Sequence, residues 1–246
     1  MPEVSFSKSA NLLLLSTSTL HGGEYLQYAR EEIIDQLKGV SELLFIPFAR
    51  PSGITHEAYT SRVAGFFEQI GIQVKGLHQY HQAEEAIRKA QAIFTGGGNT
   101  FLLLKTLQEM NLLSLIREQV NSGKTIYMGS SAGTNLAGQT INNTNDMPIV
   151  WPENLNALGL VPFNFNPHYL DPVEGSTHMG ETRETRIMEF HSFSTIPVVG
   201  LREGSFIQVK EGQMLLKGPL TARLFRKGQT PLELSPGLIN LSLLNS

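Results

Sequence analysis

The sequence predicts an α/β fold: a three-layer αβα sandwich around a mostly parallel sheet, with antiparallel additions in the C-terminal part. Three observations carry this. The predicted strands are short and apolar on both faces, as in LLLL at 12–15 and LLFIPF at 43–48, which is the pattern of a parallel sheet covered on both sides. They alternate with segments of helical periodicity, the order expected of βαβ units. After residue 198 the chain turns to strands punctuated by Glu211-Gly212 and Lys227-Gly228, which read as hairpin turns.

Taken in order, 11–16 is a buried strand and 24–37 a helix with Tyr25, Tyr28, Ala29, Ile33 and Leu37 near one face. A strand at 43–48 leads to a helix at 57–70 that buries Val63, Phe66, Phe67 and Ile70. Next come a strand at 73–77, a helix at 83–90 and a strand at 92–95 that runs into Gly96-Gly97-Gly98-Asn99. Helices at 100–108 and 112–121 precede a strand at 125–128. Pro152, Pro162, Pro167 and Pro172 then break the chain into short pieces before a helix at 181–190. No repeat or linker interrupts the pattern, so 1–246 is expected to be a single domain, with 1–10 and 229–246 peripheral.

Composition narrows the function. Apolar residues are 41% of the 246 and charged residues 17%, enough apolar surface for a substantial core and too much for a disordered chain. The net charge of −3 offers no cationic field, so neither nucleic acid nor an anionic membrane surface is an expected partner. There is no cysteine, which excludes disulfides, thiolate metal sites and cysteine nucleophiles, and fits a cytoplasmic location. The longest early apolar run, 12–15, has no basic lead-in and reads as a strand rather than a signal peptide. No run approaches the ~18–20 apolar residues of a membrane span.

Two loops fall where strands enter helices, the usual place for active sites in such sheets. Gly129-Ser130-Ser131-Ala132-Gly133 fits G-x-S-x-G after a strand and before small, helix-tolerant residues. That context makes it a nucleophile elbow centred on Ser131, whose flanking glycines remove colliding side chains. A serine needs a base. Of seven histidines, His168 stands out, because Pro167 fixes the backbone that presents its ring. A carboxylate must then hold the imidazole tautomer. Asp146 and Glu203 both lie in suitable loops, and the sequence leaves the choice open. The 96–98 glycines let backbone N–H groups approach a ligand, so Gly98 and Ala132 are expected to supply an oxyanion hole. Nucleotide and metal motifs fail in detail. Phe101 occupies the last glycine position of G-x-G-x-x-G, Glu118 the first of a Walker loop ending at Thr125, and Thr60 the final histidine of H-E-x-x-H.

The same segments resemble the peptidase E family, α-aspartyl dipeptidases that are serine peptidases related to cyanophycinase. The matching pieces are LLLLSTSTL, IPFA at 46–49, GGGNTF at 96–101, GSSAGTNLA at 129–137, TNDMPIV at 144–150, NPH at 166–168, GETRETRI at 180–187 and EGSFIQV at 203–209. The resemblance implies a class I glutamine-amidotransferase-like fold and hydrolysis of Asp-X dipeptides through an acyl-enzyme. It implies Ser131 as nucleophile, His168 as base, and Asp146 or Glu203 as third member. Arg183 would bind the substrate aspartate carboxylate, with Asn99 of the glycine loop as a further substrate-binding residue. No cofactor or metal is expected, the partner is a small peptide substrate, and a homodimer rests on the resemblance alone. A cyanophycinase-like hydrolase of β-aspartyl-arginine chains and a catalytically silent binding module are the competing readings. One departure is Ser130, which stands before the nucleophile where the family carries a bulkier aromatic residue, with consequences expected for pocket volume.

Overall fold

The computed structural model describes residues 6–172, 175 and 180–244. His178, one of the seven histidines, lies outside them. The chain runs through β1 (Leu12–Leu15), α1 (Arg30–Gln36), β2 (Glu42–Ile46), α2 (His56–Phe67), β3 (Gln73–Gly76), α3 (Ala83–Lys89) and β4 (Ala92–Thr95). It continues through α4 (Thr100–Glu109), α5 (Leu113–Asn121), β5 (Ile126–Ser130), α6 (Ala132–Ala137), β6 (Asn164–Pro167) and α7 (Arg183–Phe193). It closes with β7 (Val198–Leu201), β8 (Phe206–Lys210), β9 (Gln213–Lys217), β10 (Ala222–Phe225), β11 (Leu232–Leu234) and β12 (Gly237–Leu238).

Eight strands form the main sheet, in the order β12-β9-β8-β1-β5-β4-β2-β3. The five from β1 to β3 in that order pair in parallel, while β8, β9 and β12 add on antiparallel. The strand alternation sorts side chains into two cores. Leu13, Leu15, Leu43, Phe45 and Phe94 point to one face, where Ile33 of α1 and Val63 and Phe67 of α2 cover them. Leu12, Leu14, Leu44, Ile46 and Ile93 point to the other, under Ile87, Leu104, Ile116 and Leu136 of α3–α6. Burying one such side chain is worth about 1.5–3 kcal/mol, so a one-residue register slip would turn a whole strand's apolar set to the wrong layer.

A second, four-stranded sheet, β11-β10-β7-β6, packs Phe165, Val199, Leu201 and Leu224 onto this second core. Its outer face carries Tyr169, Val198 and Phe225 against Ile187 of α7. The expectation of strands late in the chain holds, but β6 falls within the stretch that its prolines mark as irregular. Pro167 is tolerated as the last residue of its strand, where no ladder donor is required.

The helix expected over 24–37 is shorter. Leu26 sits at φ 57°, with its N–H bonded to the Ser18 carbonyl at 2.7 Å, and only a 3₁₀ turn (Gln27–Ala29) precedes α1. A loop therefore holds Tyr25 inward and the single 3₁₀ turn holds Tyr28, both partly buried against the core. At the other end α7 starts at Arg183 rather than 181, because the Thr182 hydroxyl accepts from the Thr185 N–H at 3.1 Å and caps it. Among the described residues no helix is long and apolar enough to cross a membrane.

Candidate active site

The C-terminal ends of β1, β5, β4, β6 and β7 converge at one edge of the two sheets. At the end of β5 the chain turns into α6 through Ser131, held at φ 53° and ψ −107°. Such a backbone costs a non-glycine residue about 1–3 kcal/mol. Its neighbours explain why glycine flanks it. A Cβ on Gly129 would lie 2.5 Å from the Gly133 carbonyl oxygen, and one on Gly133 would lie 2.1 Å from that of Thr95. The elbow is closed by the Ser131 carbonyl, which accepts from the N–H groups of Thr134 (3.0 Å) and Asn135 (2.9 Å).

His168 follows β6 directly and is also left-handed, at φ 53°. Its Nε2 lies 2.8 Å from Ser131 Oγ. Its Nδ1 lies 2.6 Å from Oε1 of Glu203, in the turn after β7. Hydroxyl, imidazole and carboxylate therefore stand in line. The tautomer that lets Ser131 donate to Nε2 is the one whose Nδ1–H donates to Glu203. Burial, and after it the Glu203 charge, raise the pKa of the neighbouring Tyr28, whose hydroxyl donates to the Thr17 carbonyl at 2.7 Å. The phenol thus stays neutral beside the carboxylate.

Asp146 is elsewhere. Its Oδ2 accepts from the Thr100 N–H (2.7 Å), the Thr100 hydroxyl (2.5 Å) and the Thr144 hydroxyl (3.0 Å). It satisfies orphan donors at the start of α4, where the helix dipole favours an anion. The structure thus brings Ser131, His168 and Glu203 together and leaves Asp146 out of that line. Its loop is tied down by amides. Asn145 donates to the Pro167 carbonyl (2.9 Å), Asn166 to the Asn143 carbonyl (2.7 Å), and Asn164 to Asn143 Oδ1 (2.8 Å).

Of the two expected oxyanion donors, Ala132 directly follows Ser131. Ala132 is the first residue of α6, so its N–H has no carbonyl of its own helix to bond. Gly98 has φ 149°, and a Cβ there would lie 2.1 Å from the Ala49 carbonyl oxygen. The glycine lying flat against the serine is its neighbour Gly97, whose Cβ would come within 3.1 Å of Ser131 Cβ. The GGG run marked the loop but not which member approaches the hydroxyl. Asn99 is largely occupied by the fold: its Oδ1 caps α4 at the Leu102 N–H (3.0 Å) and its Nδ2 donates to the Met147 carbonyl (2.8 Å).

Arg183 is the first residue of α7 and half-buried, and it has no carboxylate partner among the described residues. Burial and the nearby Arg186 lower its pKa, and the Asp146 charge raises it. Ser130 is fully buried and its hydroxyl has no partner. Strand alternation puts it on the face of Met128, toward α1 and α2. Among the described residues no three histidine or acidic side chains cluster to hold a metal.

A parallel sheet with a serine elbow, an imidazole and a carboxylate at its strand ends is a hydrolase architecture. Residues 12–217 match the model of peptidase family S51, and the chain belongs to that family. It is a peptidase by descent. A Drosophila melanogaster protein described as "Probable alpha-aspartyl dipeptidase" is 48% identical over 232 residues, covering 94% of this chain and 95% of that one. Peptidase E of Streptomyces coelicolor is 47% identical over 227 residues, covering 92% of each. The crystal structure of a peptidase from an acI-B1 actinobacterium superposes with a TM-score of 0.67 at 20% identity, covering 92% of this chain and 94% of that one, and shares the fold.

Proposed function

We propose that this chain is a serine-type dipeptidase that removes N-terminal aspartate from Asp-X. The observation that carries the reading is the line Ser131 Oγ, His168 Nε2, His168 Nδ1, Glu203 Oε1, with gaps of 2.8 and 2.6 Å. The names borne by the relatives from Drosophila and Streptomyces support the choice of bond.

In this reading the Arg183 guanidinium binds the aspartate side chain of the substrate with two parallel hydrogen bonds. Ser131 Oγ attacks the scissile carbonyl carbon while its proton passes to His168 Nε2. Glu203 holds Nδ1–H and stabilises the imidazolium. The N–H groups of Ala132 and Gly98 receive the developing oxyanion. His168 then returns the proton to the departing amine, leaving an aspartyl ester on Ser131. Water, deprotonated by the same imidazole, releases aspartate and restores the hydroxyl.

The test is hydrolysis of Asp-Leu, Ala-Leu and the polymer cyanophycin by the purified protein and by Ser131→Ala. Asp-Leu should be the substrate, and the variant should lose roughly 10³–10⁶-fold in kcat. Activity on the polymer with none on the dipeptide would overturn the substrate assignment. A near-wild-type rate in the variant would overturn the nucleophile.

A further inference from the structure

The three side chains of the proposed relay come from three separate elements. Ser131 directly follows β5 of the main sheet, His168 directly follows β6 of the second sheet, and Glu203 sits in the turn after β7. Something must hold the two sheets in register to within a few tenths of an ångström, and the contacts converge on two consecutive residues at the end of β1. The Leu15 carbonyl accepts from the Ser131 N–H at 3.1 Å and from the Thr134 hydroxyl at 2.7 Å. Ser16 does the rest. Its Oγ accepts from the His168 N–H at 3.0 Å and donates to the Leu201 carbonyl at 2.6 Å. Its own N–H donates to the Ser205 carbonyl at 3.2 Å. Leu201 and Ser205 stand two residues before and two after Glu203, so both ends of that turn are fastened to Ser16.

We infer that Ser16 is a positioning residue for the His168–Glu203 pair, acting through the His168 backbone and the Glu203 turn. The inference rests on the serine-relay reading above. Ser16 is 0% exposed, so no bulk water competes for its hydroxyl. Its two side-chain bonds are not equivalent. The Leu201 carbonyl also accepts from the Tyr169 N–H at 3.1 Å and keeps a partner when the hydroxyl is removed. Among the described contacts the His168 N–H has Ser16 Oγ as its acceptor, and His168 already holds a left-handed backbone at φ 53°. Loss of the hydroxyl therefore falls on the peptide that aims the imidazole. A buried N–H without a partner turns toward another acceptor, and the ring swings with it. Ser16 belongs to the STST run after the first strand, where nothing local separates it from Thr17 or Ser18.

The experiment compares Ser16→Ala with wild type on Asp-Leu, with Ser131→Ala and Glu203→Gln as references. Misplacement of a reacting group by about 1 Å costs up to ~10²-fold, so kcat should fall about 10–100-fold. KM should stay within about twofold, because Arg183 and the glycine loop are held by α7 and α4 rather than by β1. Combined with Glu203→Gln, Ser16→Ala should add little further loss, since both act on the same imidazole. If Ser16→Ala does not fold, Ser16→Cys carries the test: its thiol fits nearly the same space with weaker bonds, and an intermediate kcat is expected. A kcat within about threefold of wild type, a matching rise in KM, or full multiplication with Glu203→Gln would each overturn the inference. Failure of the relay reading looks different: Ser131→Ala would then stay active, whatever Ser16 does.

Discussion

Glu203→Gln and Asp146→Asn separate the two carboxylates that compete for the role beside His168. At the transition state the imidazole is charged, and Glu203 Oε1 lies 2.6 Å from Nδ1. Unit charges ~4 Å apart attract by about 1 kcal/mol in water and about 4 kcal/mol at an effective dielectric of ~20. With His168 37% and Glu203 45% exposed, the lower half of that range applies, about 1–2 kcal/mol. The amide does further damage. A glutamine can present its N–H₂ to Nδ1, which favours the tautomer whose Nε2 carries hydrogen and cannot accept the serine proton. In a buried serine-protease triad the corresponding acid-to-amide change costs ~10⁴; solvent access at Glu203 argues for about 10²–10³ in kcat/KM. Asp146→Asn keeps one oxygen for Thr100 and Thr144 and loses only the anion at the start of α4. It should cost about 1–2 kcal/mol of stability, roughly 2–8 °C in Tm, and less than about tenfold in kcat. Steady-state kinetics on Asp-Leu with thermal melts of the same preparations give both numbers. A larger kcat loss in Asp146→Asn than in Glu203→Gln would refute the assignment.

Three other outcomes are expected. Arg183→Met should reduce Asp-Leu turnover far more than any residual Ala-Leu turnover, because a substrate carboxylate loses its partner; equal losses would remove Arg183 from specificity. Ser131→Gly should melt about 2–6 °C above Ser131→Ala although both are inactive, since glycine relieves the cost of φ 53° and alanine keeps it; an alanine variant melting at or above glycine would deny the strain. Hydrogen bonds from Arg202 hold the pKa values of Asp171 and Glu233 below the ordinary carboxylate range. A depressed folded pKa gives stability that is present above the unfolded value of ~4 and lost as pH falls through the folded one. The Tm gap between wild type and Arg202→Met should therefore be widest above pH ~5 and close below pH ~4; a gap that widens on acidification would contradict this.

How much of this was legible follows from the range of the interactions. The parallel strands could be read because each is buried on both faces, so LLLL at 12–15 needs no partner to identify it. The strand-to-helix elbow at Ser131 was legible for a related reason: strand, turn, glycines and helix start all fall within 126–137. β6 was not, because NFNP carries two asparagines and a proline, and its polar side chains are satisfied only by residues 140–145 across the loop.

The carboxylate beside His168 is the clearest case of missing nonlocal information. Asp146 and Glu203 are both loop carboxylates, and no periodicity, propensity or charge pattern ranks them. What ranks them is a register. β6 runs parallel to β7 with Pro167 opposite Leu201, so the residue after the first strand and the turn after the second emerge side by side. A shift of one residue in that pairing would carry the carboxylate along the strand by ~3.3 Å, more than the 2.6 Å contact can absorb. That register is held by the ladder and by Ser16, both of which join residues more than 30 positions apart. The geometry of the site therefore depends on a pairing between strands distant in the chain, which is why a local reading could name the serine and the histidine yet had to leave their carboxylate undecided.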